Sequence, residues 1–342
     1  MVLATTYINV YPSYINVYQS ISTYIKNYMD KIQQNVPLAD HTTFNIGGPA
    51  RYFAEIKDKE ELKEVMEWAD NKGVDTMFLG GGSNVLVSDQ GVEALILKLN
   101  NDKVSVHGTR LDAGAGTSLA RLTRVASGEG LSGLEWAGGI PGATVGGAIR
   151  GNAGAFGVDM GSLVETVEVF DRQDSSHPFQ TMSNKDCGFG YRASLFKQED
   201  RYIVWSASLK FKKGDPQQIK ESTRKIIEKR KRGQPNLANA GCIFKNLSYQ
   251  YLQENNKELL QHAEETGVVN NGSIPAGWVI DLLELKGKVI GGAKISLEHA
   301  NFIVNTGKAT SMDVIGLINI VKKRAWEELN LEMEEEIQYI GF

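Results

Sequence analysis

The sequence has few cysteines, no surplus of basic residues and no long apolar run, and each absence excludes a class of protein. Two cysteines, Cys187 and Cys242, cannot build a disulfide framework, so we expect a reducing compartment, the cytoplasm. Lysine and arginine number 37 against 41 aspartates and glutamates, which argues against a nucleic-acid partner. No stretch approaches the roughly 18 consecutive apolar residues of a membrane helix, and we expect no membrane insertion. The N-terminus also lacks the basic start and apolar run of a secretory signal.

Histidine gives no sign of a metal site, whereas glycine is abundant. The five histidines share no ligand spacing and no cysteine cluster accompanies them, so no metal is expected. Apolar residues make up 42% and charged residues 23% of the chain, a balance typical of a globular protein with a sizeable core. The 342 residues allow two domains or one large elaborated domain. The 36 glycines indicate many tight backbone loops.

The first 28 residues differ from the rest and hold six of the chain's twelve tyrosines. They repeat a pentapeptide, as Tyr7–Tyr11 and Tyr14–Tyr18, and place large apolar residues at helical spacing. A proline and several β-branched residues weaken the prediction of a helix. The segment is either a partner-binding helix or an appendage, with Met29 as an alternative start, and we treat 1–35 as an N-terminal extension.

From about residue 36 the pattern indicates alternating helices and strands. An apolar helical stripe closes at Gly73, and a short buried strand at 76–79 follows it and runs into a glycine-rich loop. Further strands are predicted at 94–99, 104–107, 164–169 and 203–211, helices at 119–128, 219–232 and 312–329, and a closing strand at 337–340. Ten glycines lie between Gly130 and Gly157, and this density predicts no regular element there.

We place the domain boundary just before the basic helix at 219–232. The chain is then divided into a first domain, 36–214, with two parts at about 36–100 and 101–214, and a second domain, 215–342.

Two glycine-rich loops are candidate ligand sites. Gly80–Asn84 follows a strand, where glycines without Cβ atoms let backbone N–H groups close on an anion. Gly138–Gly147 is a second such loop. Together they suggest a long ligand with more than one phosphate or a wide flat ring. The alternative is that the glycines only form tight turns and permit close packing.

An arginine and a cysteine are candidates for chemistry. Arg192, which follows Tyr191, has the fork geometry that holds a carboxylate, although a lone arginine is more often a surface charge. Cys242 offers a thiol as proton donor or nucleophile beside the amine of Lys245 and the amide of Asn246. The alternative for Cys242 is a buried structural cysteine.

A glutamate near the C-terminus is a third candidate. Glu336 ends an acidic run, 332–336, that reads as a solvated face. It also directly precedes the apolar alternation of Ile337 and Tyr339, which predicts that Glu336 lies at the start of a buried strand.

Taken together, these segments resemble the UDP-N-acetylenolpyruvoylglucosamine reductase family, flavoenzymes that make UDP-N-acetylmuramate for bacterial peptidoglycan. The resemblance covers about 36–342, with the segments in the family's order. The segments that carry it are His41–Ala50, Leu79–Asn84, Gly139–Gly142, Gly151–Ala155, Phe189–Arg192, Cys242–Asn246 and Glu298–Phe302.

The resemblance implies an α+β protein: an FAD-binding fold of the vanillyl-alcohol oxidase type, with two α/β subdomains, followed by a C-terminal α+β substrate domain. The FAD should be non-covalent, because Gly80–Asn84 carries no histidine or cysteine for attachment. The short spacing from Arg192 to Cys242 resembles the family branch without an extra insertion. The cofactor-binding residues it implies are Asn45, Gly47, Gly80, Gly81, Gly82, Ser83, Asn84, Gly139, Ile140, Pro141, Gly142, Gly146, Gly147, Asn152 and Gly154.

The resemblance also implies two half-reactions, with NADPH as co-substrate and a small-molecule UDP-sugar as substrate. Arg192 and Glu336 would stabilise the carbanion-like intermediate, and the side chain at Cys242 would protonate it; the family commonly has serine there. A thiol has a reference pKa of about 8.5 and is able to donate. The implied substrate-binding residues are Tyr191, Lys245 and Asn246. We expect a monomer or a weak oligomer.

Two other functions fit parts of the pattern. A flavin oxidase of the same superfamily would act on a small alcohol, but the arginine, cysteine and glutamate set argues against it. A non-catalytic nucleotide-binding protein would keep the fold, but all three candidate catalytic positions are retained.

Overall fold

The structure is a computed structural model that describes residues 31–342. The tyrosine-rich segment, with its two interpretations and the start at Met29, lies outside the described residues. The first strand, Gln33–Pro37, begins inside the predicted extension, Ile32 is 8% exposed, and Lys31 pairs with Glu61 at 3.1 Å. The prediction that the extension reaches residue 35 is therefore wrong, because the preceding residues already contribute to the core.

The first part contains a four-stranded sheet in the order Gln33–Pro37, Pro49–Ile56, Val92–Leu99 and Thr76–Leu79, antiparallel at the first pair and parallel at the others. The predicted helix covers it as Lys59–Lys72. Asp58 caps this helix by accepting a hydrogen bond from the Glu61 amide, and Gly73 ends it at φ +62°. The apolar stripe of the helix is buried against the sheet, as its spacing predicts.

The second part contains a five-stranded antiparallel sheet in the order Phe179–Ser183, Val164–Asp171, Tyr202–Lys210, Arg110–Gly114 and Val104–His107. Its helices are Leu119–Gly128, Val145–Arg150 and Leu195–Gln198. The prediction of no regular element between Gly130 and Gly157 is wrong. Val145–Arg150 is helical despite two glycines, because Thr144 caps its first turn and its buried face packs in the core.

The basic helix runs from Pro216 to Gly233, with Asp215 as its cap. It packs on the second part: Cβ atoms at Gly138 and Gly139 would lie 3.3 and 3.4 Å from Ile227. The predicted domain boundary at 215 therefore lies before a helix that packs on the second part. The spacing of the apolar residues predicts the helix but does not predict which part of the protein the helix packs against.

The C-terminal part has its own core and a four-stranded antiparallel sheet in the order Asn239–Cys242, Phe302–Asn305, Ala293–Ile295 and Val289–Ile290. Its helices are Tyr249–Asn255, Lys257–Glu265, Ala276–Leu282 and Ser311–Leu329. Thr310 and Asp313 form a capping box at the start of the long helix, close to the predicted start.

The chain returns to the first part at its end. Gln338–Ile340 pairs in parallel with Val85–Val87, the strand that follows the first glycine loop. Smaller two-stranded ladders join Leu131–Ser132 to Lys212–Lys213, Gly154–Ala155 to Val158–Asp159, and Leu247–Ser248 to Ser273–Ile274. Tyr339 is 40% exposed, so the predicted burial of that side chain is wrong. No helix within residues 31–342 combines the length and the apolar character that a bilayer crossing requires.

Candidate active site

Arg192 and Glu336 form an ion pair across the interface between the second and C-terminal parts. The Arg192 Nε donates to Glu336 Oε1 at 2.5 Å, and the side chains are 23% and 16% exposed. Arg192 has φ +53°, a left-handed conformation that costs a non-glycine residue roughly 1–3 kcal/mol. The turn is held by reciprocal backbone hydrogen bonds between Gly190 and Ala193, at 3.0 and 3.2 Å. Strain kept in place by its surroundings is typical of functional sites.

Glu336 is positioned by the first glycine loop and by the chain next to Cys242. Its amide donates to the Ile243 carbonyl at 2.7 Å, and its carbonyl accepts from the Asn84 side chain at 3.1 Å. The predicted solvated face holds for Glu332 and Glu334, which are exposed, although Glu334 also pairs with Lys245. Glu335 is half-buried and pairs with Lys322.

Cys242 ends the first strand of the C-terminal sheet, beside Glu336. Asn301, which is 2% exposed, fixes the following residues by accepting from the Phe244 amide at 2.9 Å and donating to the Phe244 carbonyl at 2.8 Å. Burial and then the Glu336 carboxylate raise the pKa of the Cys242 thiol to about 12, against smaller opposing effects of Arg192 and Arg230. The thiol is therefore protonated at neutral pH.

Thr43 joins the first glycine loop to the strand that carries Cys242. Its hydroxyl donates to the Asn239 carbonyl at 2.7 Å and contacts the Gly82 carbonyl at 3.3 Å, and its amide donates to the Gly82 carbonyl at 3.1 Å. A Cβ at Gly241 would lie 3.9 Å from the Ser83 carbonyl, so the loop and the strand nearly touch. Thr43 lies in the segment that carries the resemblance, but a lone threonine offers no separate signal in the sequence.

The two glycine loops contact each other. A Cβ at Gly81 would lie 1.4 Å from the Gly142 carbonyl oxygen, and one at Gly80 would lie 2.9 Å from the Thr144 hydroxyl. The amide groups of Gly81, Gly82 and Ser83 donate no hydrogen bond within residues 31–342. A close backbone approach with free N–H groups fits an anionic cofactor such as the pyrophosphate of FAD.

Other predicted cofactor-binding residues serve close packing. A Cβ at Gly47, Gly146 or Gly154 would lie 2.7, 2.8 and 2.5 Å from Val87, Ala115 and Val158, respectively. Asn152 is 2% exposed and uses its side chain inside the protein: it donates to the Gly190 carbonyl at 2.8 Å and to Asp159 at 3.0 Å, and accepts from Gly161 at 2.8 Å. Asn152 thus supports the Arg192 turn through its hydrogen bond to the Gly190 carbonyl. Asn45 is exposed, with φ +52°.

The rest of the second glycine loop lies along the basic helix. Gly139, Pro141, Gly142 and Gly147 are exposed, and Ile140 is half-buried. Arg230 of that helix donates from Nη2 to the Trp136 carbonyl at 2.8 Å, while its buried Nε has no hydrogen-bond partner. Burial lowers the pKa of the Arg230 guanidinium. The sequence gives no signal for Arg230, because it stands among four basic residues, 229–232.

The predicted substrate-binding residues lie next to the Arg192 turn. The Asn246 amide donates to the Tyr191 hydroxyl at 3.2 Å, and the Asn246 side chain accepts from the Ala276 amide at 3.2 Å. Lys245 pairs with Glu334. The three predicted residues therefore lie next to one another, with Tyr191 56% exposed.

Comparisons with known proteins match two regions of the chain to domain families. A model of the FAD binding domain matches residues 50–176, and a model described as UDP-N-acetylenolpyruvoylglucosamine reductase, C-terminal domain, matches residues 234–340. The second match begins just after the basic helix. The predicted fold class, an FAD-binding fold with a C-terminal α+β domain, is confirmed.

Relatives match nearly the whole chain. The UDP-N-acetylenolpyruvoylglucosamine reductase of Anoxybacillus flavithermus is 38% identical over 313 residues, which cover 91% of this chain and 94% of that protein. That of Solibacter usitatus is 35% identical over 311 residues, covering 91% and 97%. The crystal structure of the enzyme from Thermus caldophilus superposes with a TM-score of 0.71 at 36% identity, covering 90% of this chain and 99% of that one. The chain belongs to the UDP-N-acetylenolpyruvoylglucosamine reductase family.

Proposed function

We propose that this protein is a FAD- and NADPH-dependent oxidoreductase that reduces the enolpyruvyl group of UDP-N-acetyl-3-O-(1-carboxyvinyl)-glucosamine to UDP-N-acetylmuramate for peptidoglycan synthesis. The observation that carries the proposal is the meeting of Arg192, Cys242 and Glu336 beside two contacting glycine loops. These residues come from separate segments of the chain. Their proximity in the structure supports a shared role in catalysis, independently of the family match.

Non-covalent FAD would supply hydride transfer from NADPH to the substrate carbon that lies β to the carboxylate. The free amides of Gly81, Gly82 and Ser83 are the groups that would hold its pyrophosphate. The half-buried glycines Gly47, Gly146 and Gly154, where an added Cβ would meet a close neighbour, would support this loop through packing.

Three side chains would handle the charge and the proton on the substrate. The Arg192 guanidinium would stabilise the negative charge that develops next to the substrate carboxylate, and Glu336 would keep the guanidinium in place. The Cys242 thiol, protonated at neutral pH, would then give its proton to carbon. A carbanion is far more basic than a thiolate, so the raised pKa does not oppose this step. Tyr191, Lys245 and Asn246 would bind the UDP-sugar.

We also propose that the enzyme is cytoplasmic and is a monomer or a weak oligomer. It would act on a small molecule, with no nucleic-acid partner and no membrane insertion. Both cysteines are free, which fits a reducing compartment.

Product analysis tests the function. Purified protein, NADPH and the enolpyruvyl UDP-sugar should give a product heavier by two hydrogen atoms, with one NADPH oxidised per product, measured by mass spectrometry and absorbance. Oxygen consumption without any NADPH requirement would instead identify an oxidase. Protein that carries no flavin and forms no product would overturn the proposal.

A further inference from the structure

Lys197 lies beside the Arg192 turn, on the short helix Leu195–Gln198. Its side chain is half-buried, and its Nζ donates to the carbonyl oxygen of Arg192 at 3.2 Å. This hydrogen bond acts on the residue that has φ +53° and whose guanidinium holds Glu336. Lys197 therefore restrains the strained turn at the Arg192 carbonyl, in addition to the Asn152 contact with the Gly190 carbonyl.

The charge of Lys197 has no carboxylate partner. The nearby cations are each paired: Arg192 with Glu336, Lys245 with Glu334, and Arg150 with Asp200. Within residues 31–342, Lys197 forms no ion pair, and its one hydrogen bond uses one of three N–H groups. Burial and then Lys245 lower the pKa of the Lys197 ammonium, and the opposing effect of Glu336 does not cancel this lowering. A half-buried cation among other cations lacks its compensating anion.

We infer that Lys197 is a further specificity-determining residue of this site. It restrains the Arg192 turn through the carbonyl group, and its remaining N–H groups bind an anionic oxygen of the substrate. This inference rests on the proposed function, since the anion is either the carboxylate of the enolpyruvyl group or the diphosphate of the UDP-sugar. Both are oxyanions that an ammonium within hydrogen-bond distance recognises.

Three variants test the inference. Lys197→Gln keeps a hydrogen-bond donor but removes the charge, and Lys197→Arg keeps the charge. Lys213→Gln is the matched control, because Lys213 also donates to a backbone carbonyl, that of Glu129 at 3.4 Å, but is exposed on the short strand Lys212–Lys213. We would measure the KM and kcat for the enolpyruvyl substrate, the rate of flavin reduction by NADPH, and the Kd of UDP-N-acetylglucosamine from the change in flavin absorbance.

Lys197→Gln should raise the KM for the enolpyruvyl substrate by about tenfold to about a hundredfold, the usual effect of losing a hydrogen bond to a charged group. Flavin reduction by NADPH should stay unchanged, Lys197→Arg should recover most of the loss, and Lys213→Gln should match the unsubstituted protein. A weaker Kd for UDP-N-acetylglucosamine as well would indicate the diphosphate. An unchanged Kd would indicate the carboxylate.

Two results would overturn the inference: a KM unchanged in Lys197→Gln, or equal losses in Lys197→Gln and Lys197→Arg. These results differ from those expected if the proposed function is wrong. If the proposed function is wrong, the unsubstituted protein itself neither binds the UDP-sugars nor reduces the enolpyruvyl substrate.

Discussion

Cys242 is the residue on which the proposed chemistry depends most, because its thiol is the proposed source of the proton and lies next to the Arg192–Glu336 pair. Cys242→Ala should leave flavin content and flavin reduction by NADPH nearly unchanged. Reoxidation of the reduced flavin by the enolpyruvyl substrate should slow by about 10²- to 10⁴-fold, the usual worth of general acid catalysis. Cys242→Ser should retain much of the rate. Rapid-mixing absorbance measures both half-reactions.

The control for these variants is Cys187→Ala, since Cys187 is fully buried in the second part and its sulfur contacts the Ser183 carbonyl at 3.2 Å. It should not change either half-reaction. Equal losses in both half-reactions of Cys242→Ala would make Cys242 a structural residue. An unaffected oxidative half-reaction would mean that another group supplies the proton.

The raised pKa of Cys242 makes a separate prediction about its reactivity. Only the thiolate is alkylated, so an ordinary thiol reaches its full rate above about pH 8.5. With the pKa of Cys242 raised to about 12, its alkylation by iodoacetamide in the folded protein should keep rising through pH 10. Mass spectrometry of the Cys242 peptide follows the rate, with the unfolded protein as reference. A half-maximal rate near pH 8.5 in the folded protein, as in the unfolded reference, would contradict the burial of the thiol.

The sequence predicts the types of the site residues but not their contacts. Arg192, Cys242 and Glu336 are candidates from the sequence pattern, but their roles come from the resemblance, since a lone arginine or cysteine has commoner structural explanations. Thr43 and Arg230 are missed because their contacts, with the Asn239 carbonyl and the second glycine loop, lie far away in the sequence. Lys197 is near Arg192 in the sequence but is missed because its hydrogen bond depends on the left-handed conformation of Arg192. No local pattern encodes such contacts.

At the scale of elements, the two glycine loops contact each other where we propose that the cofactor binds. Gly81→Ala should separate the loops, because the added Cβ would lie 1.4 Å from the backbone oxygen of Gly142. We expect lower flavin content and a destabilisation of about 1–3 kcal/mol, the usual cost of overpacking. Flavin absorbance per protein and thermal unfolding measure the two effects.

Gly128→Ala is the matched substitution, since nothing lies within 4 Å of a Cβ there and the residue ends a helix. It should keep full flavin content and be neutral or stabilising by up to about 1 kcal/mol. If Gly81→Ala bound flavin as well as Gly128→Ala, the two loops would not form the cofactor site.

Helices and strands whose apolar residues recur at regular spacing are predictable from the sequence. The surfaces that these elements pack against are not. The helix Lys59–Lys72 and the strand Thr76–Leu79 follow from apolar spacing and a glycine stop. The helix Val145–Arg150 was missed because its stability comes from a cap and tertiary packing that outweigh the low helix propensity of its glycines. The basic helix was assigned to the wrong part for a similar reason: its partner surface lies far away in the sequence.

At the scale of the whole molecule, the described body begins at residue 31 and includes Ile32 in its core. Removal of residues 1–28 should therefore leave Ile32 and the Lys31–Glu61 ion pair intact, with flavin content and NADPH oxidation largely retained. Steady-state assays of the truncated and full chains test this. A collapse of activity on truncation would show that the tyrosine-rich segment contributes to the catalytic body.

The last strand, Gln338–Ile340, closes the molecule by pairing with Val85–Val87, and this pairing sets Glu336 beside the first glycine loop. The active site is thus assembled from all three parts of the chain, and its proposed task is a hydride and a proton delivered to one double bond.

Anaerobic flavin absorbance tests this claim most directly. The purified protein should be yellow, lose its colour on mixing with NADPH, and recover the colour on a second mixing with the enolpyruvyl UDP-sugar but not with UDP-N-acetylglucosamine, which has no enolpyruvyl group to reduce. Recovery with both sugars or with neither, in protein that NADPH has bleached, would contradict the account.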